Sequence, residues 1–368
     1  MSKEIMITNK EPFARIIKRD TISKRKAWSI RLIAVVLSLI VCALVIVAIT
    51  NQNPIKVYLG IIDGAVGRNR RLWVTIRDSL TLLIIAIGLT PAFKMKFWNI
   101  GAEGQVLMGG VATAAIMIYC GNAMPNWLLL LVIFVASSLA GMIWGLLPAF
   151  FKAYYNTNET LFTLMLNYIA MQIVTFCIVF WENPEGSNTV GIINSATRKG
   201  WFNKVFGQNY GMNIIIVLAI TIGMYIYMKY SKHGYEIAVV GESQDTARYA
   251  GINVKKVIIR TMMISGGICG LAGSIIVSGA SHTISTSTGG GRGFTAIIVA
   301  WMSKFNPFAM IVVSAFLVFM QQGSIQIASQ YGLNENASDI ITGIILFFLI
   351  GCEFFINYKL DIRKKVRR

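Results

Sequence analysis

This chain has little charge and almost no metal-binding chemistry. Only 14% of its 368 residues are charged, and two are histidine, His233 and His282. Its five cysteines, Cys42, Cys120, Cys177, Cys269 and Cys352, lie singly inside apolar stretches and form no CxxC pair. No zinc or dithiol redox site is spelled out, and the cysteines read as packing residues. The phosphate-loop pattern GxxxxGK[ST] is also missing: Gly289-Gly-Gly-Arg-Gly293 lacks the lysine and the preceding soluble strand. Any ATP hydrolysis therefore belongs to another chain. Within the apolar segments Glu103 reads as the only central acid, too little for a proton relay. No convergent acid–base set of a membrane enzyme is evident either.

What the chain has in abundance is apolar length. Hydrophobic residues make up 55% of it and the mean hydropathy is +0.62. Runs of about 20 apolar residues, the length of a membrane-crossing helix, recur throughout. The reading is an all-α polytopic membrane protein with ten spans, near 28–49, 73–93, 102–120, 127–151, 160–181, 212–230, 257–279, 292–304, 307–329 and 337–357. Residues 28–357 form the transmembrane domain, between a basic N-terminal segment (1–27) and a basic tail (358–368). The run Leu32–Ile49 is too long for a signal-peptide core and reads as a retained first span.

A net charge of +18 would point to nucleic acid in a soluble protein. Here most of the 34 lysines and arginines fall in the two ends and in alternate loops. That pattern marks the cytoplasmic side of a membrane protein, so no nucleic-acid partner is expected. An even span count then places both termini in the cytoplasm of a multi-pass protein of the cell membrane. Arg68, Arg70 and Arg71 resist the pattern, in an outer loop over 51–72 long enough to carry them.

The stretch Lys94-Met-Lys-Phe-Trp-Asn-Ile-Gly-Ala-Glu-Gly-Gln105 separates two apolar runs. It places the carboxylate of Glu103 and the amides of Asn99 and Gln105 at the start of a span, with Gly101 and Gly104 on either side of the acid. One reading is a broken helix at a transport pathway, where irregular backbone lines a cavity. The other is a cytoplasmic turn with a capping glutamate at a helix start. The eighth span is also interrupted, being only a short apolar run after Gly289–Gly293. Two broken segments in corresponding halves point to a site near mid-membrane.

Gly141-xxx-Gly145 and Gly266-xxx-Gly270-xxx-Ser274 put small residues on one helix face and predict close helix packing. The polar outer loop 182–210 carries Trp181, Trp201 and Tyr210, which read as interfacial anchors on a surface that also faces any outside partner. The largest inward loop is 232–256. Within it Ser243 can cap a short helix over 243–250, with Asp245 favoured in the first turn and Gly251 just past the end. Alone such a helix is too short to be stable in water. Either a partner's groove supplies the missing contacts or the loop rests on headgroups.

Phe97-Trp-Asn-Ile-Gly-Ala-Glu-Gly-Gln105, Thr163-Leu-Met-Leu-Asn-Tyr-Ile169, the Gly241-Glu-Ser…Ala247-Arg-Tyr-Ala-Gly-Ile252 loop and Gly291-Arg-Gly-Phe-Thr-Ala-Ile-Ile-Val-Ala300 with Asn306-Pro307 occur in this order. Together they resemble nucleoside-type ABC importer permeases, which are related to ribose and branched-chain amino acid permeases. The resemblance runs from about Leu80 to Met310, and the run Ala300-Trp-Met-Ser-Lys304 departs from it by being bulkier. It implies a type II importer-like architecture and a non-enzymatic subunit forming the membrane pathway for nucleosides by alternating access. It implies that Trp98, Asn99, Glu103, Gln105, Asn167 and Phe294 contribute to that pathway. Glu242, Ser243, Asp245, Arg248, Tyr249 and Gly251 would couple the chain to an ATPase. The implied partners are an ATP-binding subunit using ATP and magnesium, a second permease in a heterodimer, and an extracytoplasmic substrate-binding lipoprotein. This chain would bind no cofactor. Ribose or another sugar is the alternative substrate, and a secondary transporter the rival class.

Overall fold

The computed structural model describes residues 14–19, 22–50, 53–205, 207–332 and 335–362. The expected basic ends therefore lie partly outside the described residues, at 1–13, 20–21 and 363–368. Described in chain order, strand β1 is Ala14–Lys18, followed by helices α1 (Lys24–Thr50), α2 (Pro54–Val66), α3 (Asn69–Lys94), α4 (Ala102–Cys120), α5 (Asn126–Tyr155), α6 (Glu159–Trp181) and α7 (Gly211–Tyr230). Next come α8 (Lys232–Glu242), α9 (Gln244–Tyr249) and α10 (Val254–Ile276), which ends in a π-helical turn over Val277–Ser281. Helices α11 (Arg292–Met302), α12 (Pro307–Gln330) and α13 (Glu335–Asn357) lead to strand β2 (Tyr358–Ile362). Among the described residues nine helices are long and apolar enough to cross a membrane, and α11 is a tenth, shorter apolar helix. All ten expected spans are thus helical.

The chain forms two compact units, one of residues 65–322 and one of residues 1–64 with 323–368. In the larger unit the middle of α3 is enclosed on all sides: Leu82 to Ala86, Leu89 and Ala92 are essentially inaccessible. Helix α10 is as deeply placed, and its small residues explain why. Gly266 and Gly270 lie directly against Gly141 of α5, so close that a Cβ on Gly141 would overlap the Gly266 carbonyl oxygen. On another side of α10, Gly273 meets the backbone of α4. Lipid gives helices no hydrophobic reason to associate, so backbone-to-backbone packing over small residues is what holds α4, α5 and α10 together.

Helices α8 and α9 form a ledge at one end of this unit. Ser231 Oγ accepts the Gly234 N–H at 2.9 Å and Ser243 Oγ accepts the Thr246 N–H at 3.2 Å, so each helix starts on a serine cap. Gly251, at φ +76°, follows the end of α9 as expected. Part of what this six-residue helix needs comes from the chain itself. Ala247 is buried in an apolar cluster with Ile237, Val240, Met95, Phe97 and Val257.

The smaller unit joins the two chain ends. Helices α1 and α13 lie antiparallel, with Ala34 against Cys352 and Ile356 and Arg31 paired to Glu353 at 2.7 Å. Beyond them β1 and β2 pair antiparallel, Ala14 opposite Ile362 and Lys18 opposite Tyr358. The sequence reading had no strands here. It also had a loop over 51–72, where α2 forms instead, started by the Asn53 Oδ1 acceptor on the Ile55 N–H at 2.9 Å.

Candidate functional site

The two broken segments expected from the sequence meet in space. Helix α4 begins at Ala102 after a turn over 95–101, and α6 holds that turn. Asn167 donates from Nδ2 to the Ile100 carbonyl at 3.0 Å and accepts the Gly104 N–H on Oδ1 at 2.8 Å. Thr163 Oγ1 accepts the Ile100 N–H at 3.2 Å. Asn99 and Gln105 bond each other through both amide arms, at 3.4 and 3.3 Å, and Asn99 reaches Ser265 of α10 at 3.2 Å. Buried amides need such partners, and these are fully supplied from within the chain.

Glu103 carries the second break. Its side chain accepts the Gly291 N–H on Oε1 at 2.9 Å and the Gly293 N–H on Oε2 at 2.8 Å. The carboxylate thus satisfies two otherwise orphaned donors at the start of α11 and sits at the positive end of that helix. A Cβ on Gly289 would collide with this carboxylate, and Gly291 takes φ +70°, which explains the glycine run. Upstream, residues 282–291 enter the unit without helical backbone, burying Ile284 and Thr288 beside Gly110 of α4. Several of their polar groups are matched locally: the Ser285 N–H donates to Thr288 Oγ1 at 2.8 Å, and the Arg292 N–H to the Gly289 carbonyl at 3.1 Å. Irregular backbone at this depth is tolerated because protein encloses it.

Helix α11 is about 16 Å long, half of a membrane's apolar thickness. It runs alongside α3 to the end that carries α8 and α9. Its first turn is gripped from a second side by Asp78, a buried acid of α3 that the sequence reading passed over when it took Glu103 as the only central acid. Asp78 Oδ1 lies 3.3 Å from the Arg292 guanidinium and 2.9 Å from that of Arg77, and Oδ2 accepts from Gln322 at 2.8 Å. Asp78→Asn leaves two partly buried cations without their counter-charge. Its expected cost is about 2–3 kcal/mol, at or below the low end for a broken buried pair because both arginines keep some water. The check is a lowered melting temperature of the purified protein, with a smaller drop for Gln322→Ala.

One face of α11 is buried through Gly293, Ala296, Val299 and Ala300. On the other, Phe294 and Trp301 are half-exposed two turns apart. Trp301 stacks on Trp98, with ring centroids 5.6 Å apart, and Phe93 stands edge-on to both. Of the six residues expected in a pathway, Trp98 and Phe294 therefore lie on an open aromatic stripe. Asn99, Glu103, Gln105 and Asn167 form the buried frame behind it.

At the far end of the unit from α8 and α9, a polar cavity of about 420 Å³ is lined by Arg198, Trp201, Lys204, Tyr210 and His282 among others. Trp201 and Tyr210, read in the sequence as interfacial anchors, both line this cavity. Burial lowers the His282 pKa below its ordinary value, and the ring lies flat on Trp201 with centroids 3.7 Å apart. Tyr210 sits under the Arg77 guanidinium, 5.5 Å from its ring centre, which links the cavity to the Asp78 cluster.

At the opposite end Glu242, Asp245, Arg248, Tyr249 and Gly251 are exposed around α9, with Ser243 partly covered as its cap. Tyr249 is 94% exposed. Among the described residues no group of three or more His, Cys, Asp or Glu side chains is placed to hold a metal ion.

The chain is 27% identical over 91% of its length to the guanosine ABC transporter permease protein NupP of Bacillus subtilis, covering 96% of that protein. It is 26% identical to the nucleoside ABC transporter permease protein NupB of Lactococcus lactis, over 94% of this chain and 96% of the other. The glucose ABC transporter permease protein TsgB13 of Haloferax volcanii is 23% identical over 94% of this chain and 92% of its own length. Residues 73–350 match the family model described as the permease component of branched-chain amino acid transport systems. That match covers most of the chain and includes both broken segments, the Asp78 cluster and the α8–α9 ledge, so this protein is a member of that permease family.

Proposed function

We propose that this chain is a permease subunit of an ATP-driven importer and forms the membrane path for nucleosides. The observation that carries the substrate reading is the open aromatic stripe of Phe294 and Trp301 on the short helix α11, with Trp98 of the turn before α4 stacked on Trp301. Aromatic faces stack on a base without fixing it by charge, which suits a path that must release what it binds. The buried amides and Glu103 hold that stripe in place. The relatives named for guanosine and nucleosides, similar along nearly their whole length, support the same substrate class.

In this reading α9 is the coupling helix. ATP and magnesium are bound by a separate ATP-binding subunit that sits on α8 and α9, and its closure moves the ledge and alternates access. Both chain ends face the cytoplasm of the cell membrane, as the basic residues around them favour. A second permease completes a heterodimer, and an extracytoplasmic lipoprotein delivers substrate to the surface around the 182–210 loop.

A sugar substrate is the second reading, favoured by the relative named for glucose. Uptake of labelled nucleosides by cells carrying or lacking this chain separates the two. The expected result is nucleoside uptake that disappears with the chain and that excess unlabelled ribose leaves untouched. Unchanged nucleoside uptake in the deletion, in cells without a redundant importer, would assign the path to sugars or amino acids.

A further inference from the structure

We propose that the groove between α1 and α13 is a binding site for an anionic phospholipid. This groove, about 490 Å³, lies wholly within the smaller unit and is lined by Ile30, Ile33 and Leu37 of α1 and Phe347, Gly351 and Phe355 of α13. Its walls carry no polar side chain until its mouth, where Arg19 closes the lining. Along α1 the lining runs from Ile30 to Leu37, about 10 Å of helix, so the groove reaches into one leaflet and does not cross a whole membrane.

Arg19 is the observation that selects the occupant. Its backbone N–H extends the β1–β2 ladder by donating to the Asn357 carbonyl at 2.8 Å, which fixes the residue where the sheet meets the helices. Its side-chain Nε is buried and has no hydrogen-bond partner among the described residues. A buried donor on a cation is costly when left unmade. The neighbouring acid does not supply the partner: Glu353 is engaged by Arg31 at 2.7 Å. Asp361 stands opposite Arg15 in the strand register, while Lys18 and Lys359 add further positive charge on the same two strands. The site therefore joins an apolar channel of acyl-chain character to a guanidinium whose Nε has no partner among the described residues. A phosphodiester oxygen pair matches that fork, and the lipid's chains fill the groove below it.

The test is native mass spectrometry of the full-length protein in detergent, titrated with phosphatidylglycerol or phosphatidylcholine. The parent should retain one phosphatidylglycerol in preference to phosphatidylcholine. Arg19→Gln should reduce that preference about fivefold, the effect of one basic residue at a membrane surface. Gly351→Leu tests the groove independently, because a side chain there enters open space with no atom within 4 Å. It should lower retention of both lipids, and it keeps the test valid should Arg19→Gln fold poorly. Unaltered lipid retention in both variants would overturn the proposal. So would displacement of the bound lipid by inorganic phosphate, which would leave only an anion site. Loss of the second permease instead of lipid from Gly351→Leu would also overturn it, by making the groove a protein contact.

Discussion

Replacing Glu103 by alanine is expected to abolish uptake while leaving the chain inserted in the membrane. The carboxylate takes two backbone N–H groups of the 291–293 turn, at 2.9 and 2.8 Å, in a setting where the acid is only 7% exposed. Each hydrogen bond to a charged group is worth about 1.5–3 kcal/mol, so losing both frees the first turn of α11 and costs well over tenfold in activity. Membrane insertion depends on apolar length, which the substitution does not touch. Glu103→Gln keeps one acceptor oxygen and should give intermediate uptake. The check is uptake normalised to the amount of protein in the membrane. Normal uptake by the alanine variant would remove Glu103, and the half-helix it holds, from the pathway.

The second large effect is expected at α9. Arg248→Glu reverses an exposed charge and breaks its 3.0 Å pair with Asp245. Tyr249→Ala truncates an aromatic that is 94% exposed and contributes nothing to its own core. Buried arginine and tyrosine anchors at an interface are commonly worth about 2 kcal/mol or more, roughly thirtyfold. Both variants should fold normally and leave ATP hydrolysis by the assembled complex in place, while uptake per ATP falls steeply. An insertion next to Gly251 should do the same by displacing the ledge. Full coupling in all three would mean that the ATPase seats elsewhere. Because Ala247 and the Ser243 cap build α9 from within, a failure of coupling would not be a failure of folding.

The spans were legible because apolar length is a strong signal and lipid leaves the backbone few alternatives. The close packing of α5 on α10 was legible too, from Gly141, Gly145, Gly266 and Gly270. Other features were hidden for physical reasons. Helix α2 is only 13 residues long, too short to register as a span, and it fell inside what looked like a loop. Asp78 was masked by its place in the polar opening of an otherwise apolar helix, next to Arg77. Strands β1 and β2 are five residues each, from opposite ends of the chain, and neither alternates cleanly.

For the site, each glycine break could be read locally, but their meeting could not. Glu103 and Gly291 are 188 positions apart, and nothing in either stretch names the other. Of the two readings left open for Glu103, capping is what the geometry displays, though the helix start it caps is that of α11 and not of its own α4. The amides were expected in the pathway; in the structure Asn99 and Gln105 bond each other, Asn99 also reaches Ser265, and Asn167 holds Ile100 and Gly104. Trp301 stood out in the sequence only as unusually bulky; the structure puts that bulk on Trp98.

The most direct test of the whole account is reconstitution of this chain with the proposed ATP-binding subunit, second permease and binding lipoprotein in sealed vesicles. ATP supplied on the side of α8 and α9 should drive accumulation of a labelled nucleoside against its gradient, with none when ATP is withheld and no dependence on an ion gradient. Accumulation that proceeds without ATP and collapses with a proton or sodium gradient would contradict it, and would make this protein a secondary transporter whose ledge couples to nothing.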